Sequence, residues 1–124
     1  MAVKLYDSEL KVMELLWREG ELPAKDIAGH LKEQTEWSKT TTYTVIKKCI
    51  EKNAVQRIEP GFICRPLISI EEARNAETSE LINKMYGGSK DLLIASLLGH
   101  QKMTPDEIDR LKRLVDELSQ GGGK

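Results

Sequence analysis

Residues 36–53 read EWSKTTTYTVIKKCIEKN, and the fold turns on whether this stretch is a strand or a helix. Six of the seven residues from Thr40 to Ile46 are β-branched and the seventh is Tyr43, a composition that favours a strand on propensity alone. Spacing argues the other way. At about 100° per residue, Thr42, Val45, Ile46, Cys49 and Ile50 gather on one face. Thr40, Thr41, Thr44, Lys47, Lys48 and Glu51 fall away from it, with Tyr43 at the border. A strand would instead set Lys47 beside Val45 and Lys48 beside Ile46, and it would be unusually long. Ser38 stands where a hydroxyl can accept from the free amides of a first helical turn. The stretch therefore reads as a helix capped by Ser38, with an apolar face and an opposite face of hydroxyls and amines.

The flanks read outward from it. Upstream, a helix over about 8–19 carries Leu10, Met13, Leu16 and Trp17 at three- and four-residue spacing, with Asp7 or Ser8 as its cap and Gly20 after its end. A second helix over about 23–34 carries Ala24, Ile27, Ala28 and Leu31, with Pro23 in its first turn. Downstream, the short runs VQRI and FICR flank Pro60-Gly61 and predict a β-hairpin closed by Pro66. Three further helices are predicted. Ser69 and Glu72 make a capping-box pattern, and that helix ends at Gly87-Gly88. Ser89 can cap KDLLIASLLGH, which is apolar nearly all round, and Thr104, Pro105 and Glu107 open the last helix.

Three helices, a hairpin and three more helices is the order of a winged helix-turn-helix followed by an extra helical region. The expected fold is mainly α with a small β-hairpin. Its expected domains are a winged helix-turn-helix DNA-binding domain over 1–69, a helical dimerisation domain over 70–119 and a flexible tail over 120–124.

Bulk properties narrow the function. The 124 residues are 40% hydrophobic and 31% charged, as in an ordinary soluble domain. No apolar run reaches the length of a membrane span, and Asp7 and Glu9 stand where a signal peptide needs apolar residues, so a cytoplasmic protein is expected. The two cysteines, Cys49 and Cys64, form no CxxC or CxC pair, which indicates neither a disulfide framework nor a metal site. GxSxG, HExxH and P-loop patterns are absent, so the sequence points to no enzyme and no cofactor.

Net charge is −1, but between residues 38 and 58 five cations, Lys39, Lys47, Lys48, Lys52 and Arg57, face Glu51 alone. Local positive charge beside short hydroxyls suits a duplex: threonines can reach phosphates or a thymine methyl, and lysines can meet phosphates or guanine edges. The candidate DNA-contacting residues are Ser38, Lys39, Thr40, Thr41, Tyr43, Thr44, Lys47 and Lys48 on the helix and Arg57 on the hairpin. The carboxy-terminal region is too apolar to lie exposed; docking against a second copy is the economical way to cover it, and packing on the chain's own winged-helix domain is the alternative. The candidate dimerisation residues are Met85, Tyr86, Leu92, Leu93, Leu97, Leu98, Ile108, Leu111, Val115 and Leu118.

In the same order along the chain, SELKVMELLW, AKDIAGHL, EWSKTTTYTVIKKCIEKN, RPLISIEEA and MYGGSKDLLIASLL with MTPDEIDRLKRLVDEL resemble the BlaI/MecI/CopY repressors, over about residues 5–119. The resemblance implies a homodimeric winged-helix repressor bound to an inverted-repeat operator, with control of a β-lactam-resistance locus and a sensor-protease that inactivates it. It carries Ser38, Thr41 and Thr44 onto the family's recognition-helix pattern, while Tyr43 stands where members often have another exposed residue such as arginine. Three departures stand out. The chain lacks the carboxy-terminal CxC of the copper-responsive branch. The apolar helix, LLIASLL, contains no Asn-Phe bond of the kind cleaved in penicillinase repressors. The hairpin from Gly61 to Pro66 is short. Two other readings stay open at this point: a winged-helix repressor of a metal- or stress-response operon, and a winged-helix protein-interaction module without DNA binding.

Overall fold

A computed structural model describes residues 3–100 and 102–121 of the chain. Its elements are α1 (Asp7–Glu19), β1 (Leu22–Pro23), α2 (Ala24–Thr35), α3 (Lys39–Glu51), β2 (Val55–Ile58), β3 (Ile63–Pro66), α4 (Ile70–Met85), α5 (Lys90–His100) and α6 (Pro105–Gly121). The threonine-rich stretch is a helix, as its spacing predicts. The Ser38 hydroxyl accepts the Thr41 N–H at 3.1 Å, and Thr42, Val45, Ile46 and Cys49 are buried. Its far end closes with two crossed bonds: Asn53 N–H to the Ile50 carbonyl at 3.0 Å and Ala54 N–H to the Cys49 carbonyl at 2.9 Å. Asn53 lies at φ 63°, the left-handed step that this kind of helix stop requires.

Between α2 and α3 the turn is only three residues long. Glu36, at φ 64°, donates its N–H to the Lys32 carbonyl at 2.9 Å, and the Trp37 N–H reaches the Thr35 hydroxyl at 3.2 Å. The two helices are thereby joined as a helix-turn-helix. α1 closes the core from the other side with Val12, Met13, Leu15 and Leu16 buried against Ile27, Leu31, Ile46 and Cys49. The stripe expected on α1 is therefore rotated: Val12 and Leu15 go inside, while Leu10 and Trp17 pack at the edge.

Two further expectations are corrected. The cap of α1 is neither Asp7 nor Ser8; the helix follows Tyr6, whose N–H donates to the Glu9 carboxylate at 2.8 Å. Pro23 is not in the first turn of α2. It lies in β1, at φ −62° and ψ 147°, and pairs with Ile63. The hairpin is thus part of a three-stranded antiparallel sheet of order β1-β3-β2, with Cys64 of β3 opposite both Leu22 and Arg57.

The chain divides into two compact units, Met1–Glu80 and Leu81–Lys124, and the division falls inside α4. In the first unit, the Ser69–Glu72 box forms at the start of α4, with bonds of 2.9 and 3.0 Å, and the Trp17 indole N–H donates to the Ile68 carbonyl at 2.9 Å. In the second, Ser89 caps α5 by accepting the Leu92 N–H at 3.1 Å, and Thr104 and Glu107 cap α6 reciprocally at 2.8 and 3.1 Å. α6 continues through Gly121, past the residue 119 at which the sequence reading ends its last domain, and residues 122–124 of the expected tail lie outside the described residues. Among the described residues no helix is long and apolar enough to cross a membrane.

Candidate nucleic-acid interface

Burial of one face of α3 leaves Ser38, Lys39, Thr40, Thr41, Thr44, Lys47 and Lys48 exposed together, with Tyr43 half-buried at the margin. The hydroxyls are not equivalent. Ser38 is occupied at the cap and donates to the Thr41 hydroxyl at 3.0 Å. Thr44 donates to the Thr40 carbonyl at 3.0 Å, which turns its oxygen back to the helix and leaves its methyl available for apolar contact. Among the described residues Lys39, Lys47 and Lys48 have no carboxylate partner. They supply the positive charge of this face.

The neighbouring cations are engaged. Lys52, at the end of α3, turns back to the core: its ammonium lies 2.5 Å from the Glu9 carboxylate, 2.7 Å from the Lys4 carbonyl and 4.3 Å from the Tyr6 ring centre. Glu9 is only 2% exposed, so Lys52 neutralises a buried acid and does not serve an outward surface. Arg65 pairs with Glu21, and Arg57 pairs with Glu59. The guanidinium beside Glu59, with the Phe62 N–H behind it, holds that carboxyl below its ordinary range.

Arg57 is exposed on β2, as expected of a wing cation, but its surroundings were not legible from sequence. Its guanidinium carbon lies 3.7 Å from the centre of the Phe62 ring, and the Tyr43 ring meets Phe62 edge-on at 5.7 Å and 84°. Lys39 stands 5.7 Å from the centre of the Tyr43 ring. The wing and the exposed face of α3 are therefore joined through Phe62, which the sequence places at the head of the strand run FICR; the strand instead begins at Ile63, and Phe62 stands in the turn before it at φ 49°. Its position next to Gly61 in the hairpin turn was the available sign.

Neither cysteine belongs to this face. Burial pushes the Cys64 thiol up to about 11, and burial followed by the charge of Glu9 pushes Cys49 up to about 12. Both remain protonated at neutral pH, so neither offers a thiolate there. Among the described residues no group of histidine, cysteine and carboxylate side chains could hold a metal ion.

In the second unit the candidate dimerisation residues separate into two sets. Leu97, Leu98, Ile108, Leu111 and Val115, joined by Ile94, line one open groove of about 800 Å3 between α5 and α6. Met85, Tyr86, Leu92, Leu93 and Leu118 lie outside it; Met85 is 65% and Leu118 61% exposed, and the Tyr86 hydroxyl lies 3.2 Å from that of Ser96.

The profile of the family described as Penicillinase repressor matches residues 5–117. A penicillinase repressor of Bacillus licheniformis is 22% identical over 116 residues, which cover 92% of this chain and 91% of that one. The methicillin resistance regulatory protein MecI of Staphylococcus aureus (strain N315) is 23% identical over 116 residues, 92% of this chain and 94% of its own length. Among solved structures, the solution structure of the DNA binding domain of the repressor BlaI superposes with a TM-score of 0.54 at 24% identity, covering 58% of this chain and 90% of that domain.

Proposed function

This chain belongs to the penicillinase repressor family, and on that premise we propose that it is a DNA-binding transcriptional repressor acting as a homodimer. The observation that carries the reading is the exposed face of α3, where three lysines without a carboxylate partner among the described residues surround a run of short hydroxyls. α3 is the recognition helix. Its first turns enter the major groove, where Thr40, Thr41 and Thr44 are short enough to let the backbone approach. Lys39, Lys47 and Lys48 meet phosphates, and Arg57 does so from the wing.

The second unit supplies the dimer. Seven large apolar side chains around one open groove, Met103 among them, exceed what a lone helical hairpin shelters, and a second copy with the same groove covers them by two-fold symmetry. Two recognition helices then address the halves of an inverted repeat. The regulated locus is one for β-lactam resistance, a reading supported by the names of the relatives, a penicillinase repressor and a methicillin resistance regulator. Release by a sensor-protease requires a cut outside Leu92–Leu98, where no Asn-Phe bond exists.

Genomic fragments retained by the full-length protein test the reading. Retention of fragments that share an inverted repeat upstream of resistance genes supports it. Retention of none, at low salt and micromolar protein, leaves a winged-helix interaction module in its place.

A further inference from the structure

Phe62 occupies a backbone conformation that its side chain does not favour. Its φ is 49°, in the left-handed region where glycine and asparagine sit readily and a bulky residue is strained. The backbone is held there from both sides: its N–H donates to the Glu59 carboxylate at 3.2 Å, and its carbonyl accepts the Ala24 N–H at 2.9 Å from the start of α2. Asparagine or glycine would meet this turn with less strain, so the reason for phenylalanine lies in the ring. The ring lies under the Arg57 guanidinium at 3.7 Å and meets Tyr43 edge-on at 5.7 Å. Both geometries are attractive, the first as a cation over a π-face and the second as a T-shaped aromatic pair. Among the described residues the Tyr43 hydroxyl makes no hydrogen bond, so its donor is available outward.

We infer that Phe62 is a positioning residue that locks Tyr43 of the recognition helix and Arg57 of the wing into one unit, so that the base preference at the Tyr43 contact is set from the wing. The inference rests on the DNA-binding reading and extends it to a residue that need not touch DNA. A tyrosine on a helix can swing between rotamers. Pinned against Phe62, it presents its hydroxyl in one direction, and discrimination at one base pair follows.

Selection of duplexes from a random pool by the full-length protein and its variants tests this. The wild-type protein is expected to enrich one palindrome. Phe62→Asn suits φ 49° and removes the ring; it is expected to lose discrimination, by about tenfold, at the same base pair as Tyr43→Ala. Phe62→Tyr restores the ring and the preference. Phe62→Leu keeps apolar bulk without the aromatic edge and gives the same answer as Phe62→Asn where that variant does not fold. Unchanged preference in Phe62→Asn or Phe62→Leu overturns the inference, as does a loss spread evenly over all positions. Wild-type protein that enriches no sequence overturns the DNA-binding reading and this inference with it, a result distinct from the other two.

Discussion

The two units of the chain bury their apolar residues to very different degrees. In Met1–Glu80, three helices and a small sheet enclose Val12, Met13, Leu16, Ile27, Leu31 and Ile46 almost completely. In Leu81–Lys124, Leu92, Leu97, Leu98, Val115 and Leu118 are each about half exposed or more. The contrast is one of packing, since both regions hold well-capped amphipathic or apolar helices. A helix–turn–helix with a sheet folded beside it presents facing surfaces from every side. A pair of helices has a covered side and an open one. The first unit thus encloses a core of its own, and the second, we propose, is completed by a second copy.

The largest expected effect breaks this comparison at the second unit. Leu97→Asp with Val115→Asp, both in the groove between α5 and α6, should convert the proposed dimer to a monomer in sedimentation and lower operator affinity by about 100-fold or more, because the second half-site is no longer bound intramolecularly. The first unit should keep its denaturation midpoint. A dimer that survives both charges moves the interface elsewhere.

Next in size, Leu31→Ala in the enclosed core should cost about 2–5 kcal/mol in urea unfolding, through lost transfer energy and a residual cavity. The proposed operator contacts on α3 are untouched, so affinity at low temperature should be nearly unchanged.

Alkali offers a smaller probe of the same core. The folded state holds the Cys49 and Cys64 protons to about 12 and about 11, above the ordinary value of 9.0. Above pH 9 the unfolded chain loses these protons first, so stability should be full below that pH and fall as pH rises towards the folded values. The decline should be about 1 kcal/mol per thiol by pH 10, and it should be absent from a Cys49→Ala, Cys64→Ala protein.

The smallest change concerns Thr42, fully buried with its hydroxyl unpartnered among the described residues. Thr42→Val should raise stability by about 1 kcal/mol, with no effect on operator binding. A loss of stability would show that the hydroxyl is satisfied in solution.

How much of this was legible in sequence follows from which forces leave a periodic trace. The helix at Lys39–Glu51 was legible because burial repeats at 3.6 residues even when propensity disagrees, and the Ser69, Ser89 and Thr104 caps were legible because their partners lie at fixed offsets. β1 was not, since two residues, one of them proline, carry no alternation; its pairing comes from β3, some 40 residues away. Lys52 was counted with the outward cations because a tally of charge does not see Glu9, which reaches it from α1. The Tyr43–Phe62–Arg57 stack escaped for the same reason: it joins a helix to a turn through tertiary contact alone.

The central claim is that α3 with its lysines binds an operator as part of a dimer. A titration of a palindromic duplex from the protein's own promoter, followed by fluorescence anisotropy across a salt series with the mass of the complex read by sedimentation, tests it most directly. The account predicts two chains per duplex and an affinity that falls steeply and linearly in log–log form with salt, with a shallower slope, by roughly one per contact, for Lys47→Ala or Lys48→Ala. A single chain on the duplex, or binding indifferent to both salt and these lysines, would contradict it.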